Sequence, residues 1–239
     1  MARNFVLASA QYLTNAAAIG AYPFYMGCWF RKTSAASAGT LITIATGGAT
    51  NHHHRLSAAV SGGAATTLQA ISRTTSNAIA SSSANWVLDT WHHGLGYYES
   101  ATSRGVLLDG ANTGTNATSL TPAGMDETNI GRLSSATTLY FEGDAAEAAI
   151  WTGTAAEAAI AAAMLAKGAS PLLVFPSNLL AYWPLIGRTD PEIELIGGQG
   201  MTLVNAPINA AHPRVYYPRR SQGVFMTPLH NLSLMGVGG

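Results

Sequence analysis

Charge is what this chain lacks most. Of 239 residues, 12 are Lys or Arg and 12 are Asp or Glu, which is 10% of the chain with zero formal net charge. About a quarter is usual for a soluble domain. Lys32 and Lys167 are its lysines. With no excess of either sign, no long-range field steers the chain to nucleic acid or to an anionic membrane. A weakly charged, near-neutral surface favours association instead, and the composition points to a protein that lives in an assembly. Cysteine is nearly absent too. Cys28 stands alone, so no intrachain disulfide can form. It lies in the apolar run FYMGCWF and reads as a small buried hydrophobe. No window approaches the length of a membrane-spanning helix. The N-terminal MARNFVLASAQY is broken at Ser9 and Gln11 before it becomes a signal-peptide core. The expectation is a chain folded in a cytoplasm, without membrane insertion.

Catalytic patterns are also missing. DPEIE at 190–194 has carboxylates, but a retaining glycosidase needs two carboxyls about 5 Å apart. Where the second would fall, the chain has Gly197, so Glu192 and Glu194 are expected in a solvent-facing strand or turn. His52, His53 and His54, with His92 and His93, could suggest a metal. Adjacent strand residues point to opposite faces, so a loop and two strands of ordinary histidines is the better reading, with no metal and no cofactor. Ser and His occur without a nucleophile elbow. The Gly pairs at 47–48 and 62–63 are turns, not phosphate loops. No residue is assigned a catalytic role.

What is present is a succession of short strand patterns. Phe24, Met26, Cys28 and Phe30 share one face and Tyr25, Gly27 and Trp29 the other; both are largely apolar, so this strand is covered on both sides. His54, Leu56, Ala58 and Val60 alternate with Arg55, Ser57 and Ala59 as a half-buried strand. Gly62-Gly63 and Asp109-Gly110 are hairpin signals. Residues 74–83 have too few large apolar groups and read as loop. One helix is evident over 155–166. Thr154 caps it with Glu157 three residues on, Gly168 supplies the left-handed stop, and Pro171 forbids continuation. Ile160 and Met164 give it a narrow apolar stripe, so it is expected as a clip across an edge. Many short strands and one helix indicate an all-β, antiparallel jelly-roll sandwich. From Ala206 on, the chain is Pro-rich yet carries apolar residues that disordered tails lack. It divides as a body, 1–205, and an extended C-terminal arm, 206–239. The arm's partner-binding candidates are Val215, Tyr216, Tyr217, Arg219, Arg220, Phe225 and Met226.

The segments FYMGCWFRKTS, HRLS, TWHHGLGYY, GVLLDG, TNIGR and YFEGDAAEAAIW, with the helix after them, resemble in content and order the laminin G-like, concanavalin A-like jelly roll over about residues 5–185. The continuation AKGASPLLVFPSNLLAYWPL and LIGGQGMTLVNAP is similar to members common in tailed-bacteriophage genomes. The resemblance implies two stacked sheets, with the N-terminal strand close to LLAYWPL. It also implies a non-enzymatic structural virion protein, a head-associated or capsid-decoration protein docking through its arm. It would assemble as a homo-oligomer with a major capsid or tail protein. The alternative is a lectin-like module for host glycans, with Trp86, Trp91 and Tyr97 as stacking platforms. Asp109, Asp126, Glu127, Glu142 and Asp144 are the loop carboxylates a calcium site would draw on, and they form no sequence cluster.

Overall fold

Phe24, Met26, Cys28 and Phe30 all point into a single interior layer and are at most 1% exposed. Tyr25, between them, points the other way into a second apolar layer. The strand that carries them therefore lies at the centre of the molecule, covered on both faces as its sequence requires. The computed structural model describes residues 1–60, 66–134, 139–187 and 189–218.

In chain order the described strands are β1 (Ala2–Phe5), β2 (Tyr12–Asn15), β3 (Phe24–Lys32), β4 (Gly39–Ala45), β5 (His53–Ala58), β6 (Thr67–Arg73), β7 (Asn77–Asn85) and β8 (His92–Ser100). They continue as β9 (Ser103–Leu108), β10 (Asn112–Asn116), β11 (Glu127–Ile130) and β12 (Gly143–Thr152), then helix α1 (Ala155–Ala166), β13 (Leu179–Trp183), β14 (Thr202–Val204) and β15 (Ile208–Ala210). They form two antiparallel sheets. One runs β10-β9-β8-β3-β12-β1-β15, with β13 also on β12; the other runs β14-β2-β11-β4-β5-β6-β7. The alternate residues of β5, His54, Leu56 and Ala58, face the layer between the sheets as expected, but His53 and Ser57 on the other face are buried too, so the strand is not half-buried. Asp109 and Gly110, both at positive φ, turn β9 into β10. The Gly62-Gly63 hairpin lies outside the described residues.

Residues 77–85 form β7 rather than the expected loop. Ala78, Ala80 and Ser82 face inward and the intervening residues face out. The strand is held by pairing with β6 and by close approach, not by bulk. A Cβ on Gly114 of β10 would overlap the Ser81 carbonyl, so the two sheet edges meet there. β1 and β13 lie end to end along one edge of β12, β1 opposite 143–145 and β13 opposite 148–151. The N-terminal strand and LLAYWPL are thus neighbours, as the resemblance implied. Between the two pairings β12 bulges at Glu147, whose φ is 56°.

The helix has the expected capping box. Thr154 Oγ1 accepts from Glu157 N, and Glu157 Oε2 accepts from Thr154 N. Its buried face differs from the expected stripe. Ile160 and Met164 are 53% and 39% exposed, while Ala158, Ala161, Ala162 and Leu165 pack on Tyr25, Leu95, Leu107 and Trp151. Alanine leaves no bulk between backbone and sheet, so α1 lies flat on the outer face of the first sheet instead of clipping an edge. Two tethers fix it: Ala155 N donates to Glu99 Oε1, and a Cβ on Gly110 would stand 2.9 Å from Ala162 O.

Beyond residue 200, β14 pairs with β2 and β15 pairs with β1, adding one strand to each sheet. Residues 212–217 then cross to α1. Tyr216 makes a parallel bridge with Ala169, and Tyr216 N donates to Gly168 O at 2.6 Å. Among the described residues no helix is long and apolar enough to cross a membrane.

Candidate functional site

The outer face of the second sheet carries an open groove at the edge where β14, β2 and β11 meet. Antiparallel register sets Thr202 opposite Thr14, and Asn15 opposite Thr128. Thr14 and Thr202 line the groove from the strands, and Asn15 joins them from the end of β2. Asp126 and Glu127, at the entry to β11, also line it with Gly47. The groove has a volume of about 370 Å³. Asp126 is exposed, and its Oδ1 accepts from Gly47 N at 2.6 Å. Asn15 Nδ2 donates to Gly200 O at 2.8 Å. Glu127 is buried, accepts from Asn129 Nδ2 at 3.0 Å and lies 3.8 Å from Arg132. The groove therefore presents one carboxylate, one amide and two threonine hydroxyls. That set can both donate to and accept from a polyhydroxylated ligand. Nearby Tyr12 is already engaged, with the Arg132 guanidinium 3.8 Å from its ring centroid and Tyr140 stacked at 6.0 Å.

The three expected stacking aromatics are not brought together. Trp86 is 2% exposed in the core, and its Nε1 donates to Thr67 O. Trp91 is half-buried with Arg31 over its ring at 5.8 Å. Tyr97 lies on the opposite face of the first sheet from the interior, packed against the helix layer and Gly105. Of the arm residues, Val215 is half-buried and Tyr216 and Tyr217 are about half exposed. Tyr217 Oη donates to Glu147. Arg219, Arg220, Phe225 and Met226 lie outside the described residues. Nothing in the sequence marked Thr14, Asn15, Asp126 and Thr202 as a group, because only strand pairing joins positions so far apart.

The carboxylates of DPEIE are structural, and Glu192 is not solvent-facing. It is fully buried, ion-paired to Arg3 at 2.7 Å, and accepts from Ile186 N. Glu194 accepts from the backbone N–H groups of Tyr182, Ile196, Gly197 and Gln199. His53 and His54 take opposite faces of β5, and His92 Nδ1 bonds Asp109. Among the described residues no three His, Cys, Asp or Glu side chains are grouped to hold a metal.

Two stacked antiparallel sheets of seven and eight strands, one flanking helix and an open groove on a sheet face define a lectin-like β-sandwich. The sequence profile of the concanavalin A-like lectin/glucanases superfamily matches residues 8–161, and the chain belongs to that superfamily. No curated protein matches the chain at a significant level. Among solved structures it is similar to a Bacteroides ovatus protein proposed to bind carbohydrate, at 18% identity and a TM-score of 0.57, over 87% of this chain and 60% of that one. It is also similar to the LG4-5 domains of mouse laminin α1 (15% identity, TM-score 0.48, 62% and 40%). A heptameric SAP-like pentraxin from Limulus polyphemus is comparable (13%, 0.49, 64% and 75%). The chain thus spans less than two thirds of the first two proteins. These likenesses concern the fold.

Proposed function

We propose that the chain is a carbohydrate-binding module and that the groove between β2, β11 and β14 is its ligand site. The observation that carries this reading is the polar set of Asp126, Asn15, Thr14 and Thr202 around one open groove. Membership of a superfamily of lectins and glucanases supports it, as does similarity to a protein proposed to bind carbohydrate. The buried engagement of Glu192 and the backbone ties of Glu194 favour binding over hydrolysis. The test is a glycan array with the full chain, followed by calorimetry on the best ligand. Asp126→Asn and Thr14→Ala should each weaken binding, the first by roughly tenfold, the loss expected for a charged hydrogen bond. Silence across a broad array, or a ligand indifferent to both substitutions, would overturn the reading.

A second reading concerns where such a module works. We propose a tailed-phage particle, with the C-terminal residues docking on a capsid or tail protein. Tyr216, 55% exposed, lies beside Gly168 at the end of α1, whose outer side exposes Ile160 and Met164. Large exposed apolar groups at the point where the chain continues toward Phe225 and Met226 are suited to a protein partner. A chain truncated after Pro218 keeps every described strand. It should fail to copurify with particles that retain the full chain; equal retention would sink the idea.

A further inference from the structure

The interior holds a second constellation, made of residues other than those that line the groove. His54 of β5, Ser72 of β6 and Arg104 of β9 are all at most 1% exposed. Arg104 Nε donates to Ser72 Oγ at 3.0 Å, and its Nη groups donate to Asn116 Oδ1, Thr118 O and Ala101 O. None of these is an anion, and among the described residues Arg104 has no ion pair. A buried charge is ordinarily paired, so this guanidinium lacks a counter-charge.

The network has a direction. Arg104 Nε can only donate, so Ser72 Oγ accepts there, and it lies 2.9 Å from His54 Nδ1, to which it can turn its own proton. In that tautomer the neutral ring carries its hydrogen on Nε2, for which no hydrogen bond is formed among the described residues. Burial, and then the Arg104 charge, hold His54 down at about 3, in keeping with a neutral ring. His54 forms one wall of a cavity of about 210 Å³ at the end of the sandwich, closed on the far side by Pro122 and Met125. Phe24 and Ala21 supply further apolar wall. The ring of Tyr22 meets His54 edge-on at 5.1 Å, and the Tyr22 Oη is buried beside Ser72 without a well-formed hydrogen bond.

We propose that this cavity binds a small organic monocarboxylate, its apolar body against Phe24, Pro122 and Met125 and its oxygens accepting from His54 Nε2 and Tyr22 Oη. Arg104, one hydroxyl behind His54, supplies the positive field. His54 Nε2 and Tyr22 Oη can both donate to a carboxylate, and the positive field of Arg104 favours an anion over a neutral alcohol or a cationic amine. A cavity of about 150 Å³ accommodates benzene, so this one takes a single ring with a carboxylate and excludes a disaccharide. Water could satisfy Tyr22 and His54, but it would leave Arg104 without an anion and wet an apolar wall. The cavity shares no lining residue with the glycan groove, though Met125 of the one precedes Asp126 of the other, and benzoate titration reads this site alone.

Benzoate is the probe and benzamide its neutral isostere, each titrated against the full chain by calorimetry and by NMR of the His54 and Tyr22 ring resonances. Saturable benzoate binding is expected, with benzamide weaker by roughly tenfold or more, the ratio of a charge-assisted to a neutral hydrogen bond. Tyr22→Phe should weaken benzoate several-fold, and Met125→Trp, which fills the cavity from its half-exposed rim, should abolish binding while the thermal midpoint shows a folded chain. Three results would overturn the proposal: no saturable benzoate binding in the millimolar range, equal affinity for benzamide, or benzoate binding that survives Met125→Trp. The first of these would assign the cavity to water.

Discussion

The carboxylate of Glu147 accepts a 2.6 Å hydrogen bond from the phenol of Tyr217, seventy residues further along the chain. Tyr182 Oη donates to the other oxygen at 2.6 Å, and His212 Nε2 lies 3.0 Å from the first. His212 Nδ1 meets the Pro213 carbonyl, so both ring nitrogens are engaged. Glu147 itself sits at φ 56° on the β12 bulge and is 2% exposed. A left-handed non-glycine residue costs about 1–2 kcal/mol, and the bulge persists because its side chain clasps residues 212–217 to the body. Burial, and with it the Glu147 charge, raises both phenols above the ordinary tyrosine value.

Glu147→Gly separates the two effects, since it relieves the backbone and deletes the clasp. We expect a net loss of stability of about 2–4 kcal/mol, two or three buried charge-assisted hydrogen bonds less the strain recovered. Amide exchange should accelerate selectively at Tyr216 and Ser170, whose N–H groups bond Gly168 O and Tyr216 O. Unchanged exchange at those amides would mean the backbone bridge alone holds the segment.

Three buried histidines make the fold acid-sensitive. Burial pushes His53 and His54 down to about 3 and His93 down to about 4, with Arg55 and Arg104 adding to the first two. In the unfolded chain each titrates near 6.5. The unfolded state therefore binds more protons below that value, and the stability contribution, complete above about pH 6.5, is lost as pH falls toward 4. Each group contributes at most about 1.4 kcal/mol per pH unit. Urea midpoints at pH 7.5, 6 and 5 should fall with a slope approaching three protons, and His93→Leu should remove about one of them. A flat profile would contradict the burial of these rings.

Much of the architecture was legible because its signals are local. The Thr154–Glu157 box, the Gly168 stop and the Asp109-Gly110 turn each need only neighbouring residues, and each is present. Positions fixed by close approach were not legible. β7 reads as loop because Ala78, Ala80 and Ser82 carry little apolar surface, yet there the neighbouring edge strand comes near enough to touch backbone. The groove was invisible for a different reason. Asn15, Asp126 and Thr202 lie more than 70 residues from one another in the chain and are gathered only by the pairing of β2 with β11 and β14. Trp86 misled in the opposite sense, since a large aromatic is as good a core residue as a binding platform.

The helix offers a direct contrast between apparent and actual packing faces. Ile160→Glu and Met164→Lys alter exposed positions and should change stability by no more than about 0.5 kcal/mol. Ala161→Leu inserts bulk between α1 and the sheet and should cost about 1–3 kcal/mol, and Leu165→Ala about 2–5 kcal/mol. Thermal or urea unfolding of the four variants reads the order directly. A large loss from Ile160→Glu would place the helix the other way round.

Lys32 carries the clearest stabilising substitution. It is 1% exposed, with its Nζ donating to Ser37 O at 2.9 Å and lying 5.7 Å and 5.6 Å from the Trp86 and Phe141 ring centroids. Burial lowers it from 10.5 to about 8, partly offset by Glu142. Below pH 8 both folded and unfolded chains carry the proton, and the folded state bears the cost of a buried ammonium. Between about 8 and 10.5 the unfolded state binds more protons, so stability rises with pH across that window. The shift from 10.5 to about 8 corresponds to a ceiling of about 3 kcal/mol. Lys32→Met keeps an unbranched side chain between Trp86 and Phe141 and removes the charge. We expect it to raise stability at pH 7 by about 1–2 kcal/mol, the loss of one hydrogen bond offsetting part of the gain, and to abolish the rise between pH 8 and 10. A variant less stable than the parent at pH 7, with the alkaline rise intact, would show that the two aromatic rings stabilise the ammonium by more than its burial costs.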